Sequence, residues 1–285
     1  MVIKKSVRGV AYIYELVATL LQHSKHLKHC IWCRRTEQET TFNKEAHTIP
    51  KTLGGQDICI NVCDICNQFF GQHYQSSPSV ETVIKETFNI TRIRLLDKEH
   101  IGKNKAVTKF SSQYFKVDLT KHKLELKPAY RLQKGFQEKM GRQIKKGLYK
   151  IFLEETERQK YDGHNPQYDF IREFCRYDLG DYPVFYFERL HGIIAMAKSW
   201  TVRPEFFLDP DQQFKYLVRE PSFFEFEFLG HVFGIATSRH WELAIDNYIK
   251  KTTEAKRQFF RRWRLVKNFN DIDLSLSILD DVDRP

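Results

Sequence analysis

Five of the six cysteines in this chain, Cys30, Cys33, Cys59, Cys63 and Cys66, fall between residues 30 and 66, and four of them form two C-x-x-C pairs. Two thiol pairs bracketing a short loop are the donor set and spacing of a tetrahedral Zn²⁺ site. A fold for this segment must therefore bring Cys30, Cys33, Cys63 and Cys66 together around one structural zinc. Cys59 and Cys175 stand outside the pairs and are expected as buried free thiols. Paired thiols of this kind belong to a reducing compartment. The N-terminus MVIKKSVRGVAYIYELVATLLQHSK lacks the unbroken apolar run and small-residue cleavage site of a signal peptide, and no stretch approaches 18 consecutive apolar residues. The expectation is a cytoplasmic protein with no membrane segment.

Around the cysteines the chain reads as a compact order of elements. Val7, Val10, Ile13, Tyr14, Val17, Leu20 and Leu21 recur at helical steps and predict a leading helix. TTFNKEAHTIP predicts a strand stopped by Pro50, KTLGGQD a Gly-Gly turn, ICINV a second strand, and CNQFFGQH the start of a helix. QSSPS at 75–79 is the clearest linker, and Ser79 is placed to cap a helix running to Leu96. This divides the chain into residues 1–77 and a larger domain at 78–285. In the second part SSQYFKVDLTKHKLELK predicts a hairpin, residues 131–158 a helix, and YPVFYFERL and SFFEFEFLGHVFGIATS strands. Gly135, Gly141 and Gly147 count against that helix. The overall class is α+β.

The residues C-I-W-C at 30–33, E-A-H-T-I-P-K-T-L-G-G at 45–55 and I-N-V-C-D-I-C-N-Q-F-F-G at 60–71 together resemble an HNH endonuclease of the ββα-metal class, in the variant stapled by a four-cysteine zinc site. The resemblance spans about residues 30–71 and implies metal-dependent hydrolysis of DNA phosphodiester bonds. His47 corresponds to the first motif residue, and an imidazole, which exchanges protons near neutral pH, suits a general base. Asn61 matches the middle position, whose amide is implied to hold the loop between the strands and so orient the imidazole. Asn67 matches the last position, implied to ligate the catalytic cation, and a carbonyl oxygen suits Mg²⁺ or Mn²⁺. The family commonly carries an acidic residue or His just before the motif His, where this chain has Ala46. Glu45 shares the face of His47 in an extended strand and is a further candidate for catalysis and for the cation.

The wider composition agrees with a folded protein that meets polyanions. Lys and Arg exceed Asp and Glu by ten charges, which points to nucleic acid, and 23 Phe among 285 residues exclude a disordered basic tail. From Trp241 to Val266 the apolar spacing predicts one long amphipathic helix, with Lys250, Arg257, Arg261 and Arg264 forming a basic stripe for phosphates. The resemblance implies the setting of bacterial or phage restriction and defence nucleases with C-terminal modules that select substrate or a protein partner. Two other readings stay open: a non-catalytic zinc module that binds nucleic acid, which Ala46 favours, and a protein-interaction adaptor docking through the aromatic second domain.

Overall fold

The computed structural model describes residues 28–73, 77–95, 111–118, 123–189, 203–206, 208, 220–256, 260–274 and 276. The helix expected over residues 7–21 and Arg257 lie outside them. The cysteine segment leads into a short helix, α1 (Asp64–Gly71), followed by α2 (Val80–Leu95) and a hairpin of β1 (Phe115–Asp118) with β2 (Lys123–Leu126). The long helix α3 (Phe136–Lys160) and α4 (Asp169–Tyr177) come next. Strand β3 (Val184–Arg189), the hairpin β4 (Phe223–Phe228) and β5 (His231–Ala236), helix α5 (Trp241–Glu254) and strand β6 (Phe260–Leu265) complete the order. None of the described helices is long and apolar enough to cross a membrane.

Helix α3 is the axis of this α+β arrangement. Met140, Ile144, Leu148 and Ile151 repeat at helical steps and are fully buried, and α2 and α4 pack along them. Its glycines are approach points rather than breaks. A Cβ at Gly147 would overlap the Ile84 side chain of α2, and one at Gly141 the main chain of Lys267. Gly135 supplies the left-handed residue (φ 72°) at which α3 begins. Ser79 caps α2 by accepting from the Thr82 N–H at 3.1 Å. Trp32, Ile49, Leu53 and Phe70 belong to the same apolar core as Val83, Ile84 and Leu148, so the core continues across position 77.

The second sheet runs β4-β5-β3-β6, antiparallel throughout. Alternation sends Val184, Tyr186, Phe233 and Ile235 towards the helical core, where Phe88 of α2 meets Phe228 edge-on at 4.9 Å. Phe185, Phe187, Phe223 and Val232 face α5 through Ala244, Ile245 and Tyr248.

Two expectations are corrected here. The helix from Trp241 stops at Glu254, and residues 260–265 are a strand at the sheet edge, with Phe185 opposite Leu265 and Phe187 opposite Trp263. Pairing with β3 buries Phe260, and this tertiary contact overrides the helical spacing. Lys250 and Arg264 therefore do not share a helix face: Lys250 is exposed on α5, while Arg264 sits on β6, paired with Glu188. Arg261 lies on β6, and Arg257 lies outside the described residues, so no continuous helical stripe joins the four. The second correction concerns the two strands expected before α1. They shrink to one antiparallel bridge, His47 with Ile58, flanked by Cys59 N–H to Ala46 O at 2.9 Å and Thr48 N–H to Asp57 O at 3.0 Å. Thr41 and the Lys44 N–H both donate to Asp64, so this polar stretch is held by side chains rather than by a ladder.

What replaces the ladder comes from α3. Trp32 Nε1 donates to Glu154 at 3.0 Å, Thr48 Oγ1 to Glu155 at 2.5 Å, and Asn61 Nδ2 to Glu157 at 2.6 Å. Lys150 Nζ lies 2.8 Å from Glu154 and donates to the His47 carbonyl at 3.1 Å. Burial pushes the Glu154 carboxyl up to about 7 against the opposing pull of Lys150. Glu154→Gln would leave the buried Lys150 charge with only the more distant Glu81 carboxylate at 3.8 Å and should cost up to about 3 kcal/mol in urea unfolding. Adding Lys150→Met should recover most of that loss. An equal loss in the double variant would place the cost in packing instead.

Candidate functional site

The cysteine pairs converge as their spacing requires. The Sγ atoms of Cys30, Cys33, Cys63 and Cys66 all lie within 4.8 Å of one another, the group among the described residues able to hold a metal with three or more such ligands. Cys33 and Cys63 approach to 3.6 Å, and the Cys63 N–H points to Cys30 Sγ at 3.4 Å. The Cys30 thiol is held down to about 4, chiefly by a hydrogen bond from Cys66, whereas burial pushes Cys33 up to about 11. Four thiolates packed this closely need a cation at their centre. The donor set fits zinc in a closed structural site. Burial also raises the thiols of Cys59 and Cys175, which take no part in the cluster.

Helix α4 buttresses this knuckle. Arg172 donates to the Ile31 carbonyl at 2.6 Å, Asp169 bridges Arg172 and Arg34 at 2.8 Å each, and Arg176 Nε donates to Cys66 Sγ at 3.4 Å.

Beyond the knuckle, α1 and the His47 loop enclose a cleft of about 390 Å³. Glu45, His47 and Asn67 all line it, with Lys44, Lys51 and Lys85 around them. Glu45 Oε2 stands 3.5 Å from His47 Nε2, and the side chains are 65% and 16% exposed, so the carboxylate faces solvent and the imidazole is recessed. Asn67 Nδ2 donates to the Glu45 carbonyl at 3.2 Å, which ties α1 to the loop. Ala46 is buried in the core between them. His47 Nδ1 is buried without a hydrogen-bond partner, an orphaned group of the kind a ligand or cation satisfies. Carboxylate and amide oxygens beside an imidazole fit a hard divalent cation, for which Glu45 and Asn67 would be the ligands.

Asn61 does not reach this cleft loop with its amide. Its side chain turns to Glu157 on α3, while its main-chain carbonyl accepts from the Ile31 N–H at 2.9 Å. The hold on the His47 segment comes instead from Lys150 and Glu155. Glu81, in the first turn of α2, lines the same cleft as His47 and lies 3.8 Å from Lys150. Sequence spacing could not connect these α2 and α3 residues to the motif. The available signal was only that charged residues recur on the apolar side of α3.

Elemental analysis of the purified protein should find about one zinc per chain. Cys63→Ala should lose the metal and melt at lower temperature, because a knuckle with so little regular structure draws folding energy from its ligands. Full zinc and unchanged melting in that variant would exclude the site.

Residues 30–79 match the family model for HNH endonuclease. No curated protein and no solved structure matches the chain. The match covers the knuckle, the His47 loop, α1 and the lead-in to α2, which are the parts that build the metal group and the cleft. Residues 30–79 thus match the HNH endonuclease family and bring together four cysteines placed to hold a metal.

Proposed function

We propose that the chain is a metal-dependent endonuclease that hydrolyses DNA phosphodiester bonds. The observation that carries this reading is that Glu45, His47 and Asn67, all within the matched residues, share one lysine-rimmed cleft. Hydrolysis needs a water stripped of a proton, an environment that tolerates charge growing on the phosphate, and a frame that holds both in place.

His47 supplies the first requirement. Its Nε2 is the nitrogen beside the exposed Glu45 carboxylate, and it takes the proton from the attacking water. Glu45 stabilises the imidazolium that results. Lys44, Lys51 and Lys85 draw the polyanion to the cleft and offset charge on the strand. Glu45 and Asn67 would hold a Mg²⁺ or Mn²⁺, which would supply Lewis-acid stabilisation of the phosphate oxygens. Lys150 holds the His47 carbonyl and Glu155 the hydroxyl of the adjacent Thr48, both from within the core.

The test uses supercoiled plasmid with Mg²⁺ or Mn²⁺. His47→Ala should cleave about 10² to 10⁴ times more slowly while keeping zinc and its melting temperature. Raising Mn²⁺ should partly restore Asn67→Ala and should leave His47→Ala inactive. Wild-type rates in His47→Ala would overturn His47 as the base, and absence of cleavage by the wild type would overturn the catalytic reading in favour of a non-catalytic zinc module that binds nucleic acid.

A further inference from the structure

Glu45 from the loop, Asn67 from α1 and Glu81 from the first turn of α2 line the same cleft, three oxygen donors on three elements. Glu45 is the more exposed of the two carboxylates, 65% against 34% for Glu81. A hard divalent cation such as Mg²⁺ is bound through one or two carboxylates and keeps several waters. One solvent-facing carboxylate with one amide is a weak hold on such an ion.

A carboxylate in the first turn of a helix complements the helix dipole, and that alone could account for Glu81. Its surroundings point further. Lys85, one turn on, turns to Glu86 at 3.6 Å. Lys150 Nζ lies 3.8 Å from Glu81 Oε1, beyond hydrogen-bond distance, and makes its short contact with Glu154 at 2.8 Å. Glu81 Oε2 lies towards α1, where a Cβ on Gly71 would stand 3.5 Å from it. Gly71 follows Asn67 by four residues, so Glu81 comes to the face of α1 that carries Asn67. Asn67 donates to the Glu45 carbonyl through Nδ2, which leaves its Oδ1 as an acceptor for a cation.

We propose that Glu81 is a ligand of the divalent cation in the His47 cleft, the second carboxylate beside Glu45. The inference rests on the nuclease reading, which places that cation there. Two carboxylates match the charge of a divalent ion, and one set on a helix holds its direction better than one on an exposed loop. Glu81 lies just past residues 30–79, so the cation is shared between the matched stretch and the helix that follows it. The same carboxylate faces Lys150, which holds the His47 carbonyl, so one side chain joins the cation to the anchor of the imidazole.

Titration of the full, zinc-loaded chain with Mn²⁺ in the absence of DNA tests this, with free Mn²⁺ read from its electron paramagnetic resonance signal. Glu81→Gln should weaken Mn²⁺ binding by at least about tenfold while keeping its zinc. Glu138→Gln, the same change in the first turn of α3 and away from the cleft, should leave Mn²⁺ binding as it is in the wild type. In the wild type, Mn²⁺ should protect Glu81 from carbodiimide coupling, and this measurement decides if Glu81→Gln fails to fold. Wild-type Mn²⁺ affinity in folded Glu81→Gln, or coupling at Glu81 that Mn²⁺ does not slow, would overturn the ligand, and plasmid cleavage by the wild type would then still support the nuclease. Weakened Mn²⁺ binding in Glu81→Gln with no cleavage by the wild type would keep the ligand and remove the nuclease reading. A wild type that takes up no Mn²⁺ would overturn the ligand, and its plasmid cleavage would judge the nuclease reading separately.

Discussion

The arrangement depends on a row of buried carboxylates along one helix. Glu154, Glu155 and Glu157 of α3 receive Trp32, Thr48 and Asn61, three points on a segment about a hundred residues earlier in the chain. A buried carboxylate is tolerated only when its oxygens are hydrogen-bonded and its charge is met. Here Lys150 meets Glu154, and Arg158 meets Glu155 at 2.8 Å. The same Lys150 donates to the His47 carbonyl, so the ion pair that neutralises the core also fixes the main chain at the proposed base. An isolated β-bridge could not do this, because a single pair of strand residues leaves the loop free to twist.

Two different cements therefore hold the module. The thiol group joins the knuckle to α1, and the carboxylate row joins the loop to α3. Between them α4 acts as a strut, with Arg172 on the Ile31 carbonyl and Arg176 on Cys66. The apolar contacts follow the same plan: Trp32 meets Phe70 edge-on at 4.8 Å, and Lys150 lies 5.6 Å from the centre of the Phe70 ring. Cation, ring and thiol groups thus converge on α1, one flank of which walls the His47 cleft.

Much of this was legible in residue patterns, for reasons that differ by element. The cysteine pairs and the His47 and Asn67 neighbourhood were readable because metal and motif geometry is written in short spacings. The hairpin β1-β2 was readable as such, and the stretches that form β3, β4 and β5 were readable as strands from their aromatic and β-branched composition. The glycines of α3 misled, since a small residue weakens a helix intrinsically yet is demanded where Ile84 and the Lys267 main chain press against it. The stretch 260–265 misled because its arginines and aromatics fit a helical period, and only the presence of β3 alongside turns them into an edge strand. The partner of Asn61 was beyond reach, because Glu157 is linked to it by folding and by no local spacing.

The long reach of the α3 contacts also dictates an order of events during synthesis. Lys150 and Glu155 lie 103 and 107 residues beyond the His47 and Thr48 groups they hold. A ribosome adding about 5–20 residues per second delivers them several seconds or more after the motif has emerged. During that interval the cysteines can already gather a metal, but the loop bearing the imidazole has no partner to fix it. The cleft around His47 is thus assembled late, and a chain cut short before α3 would carry the motif without the scaffold that sets it.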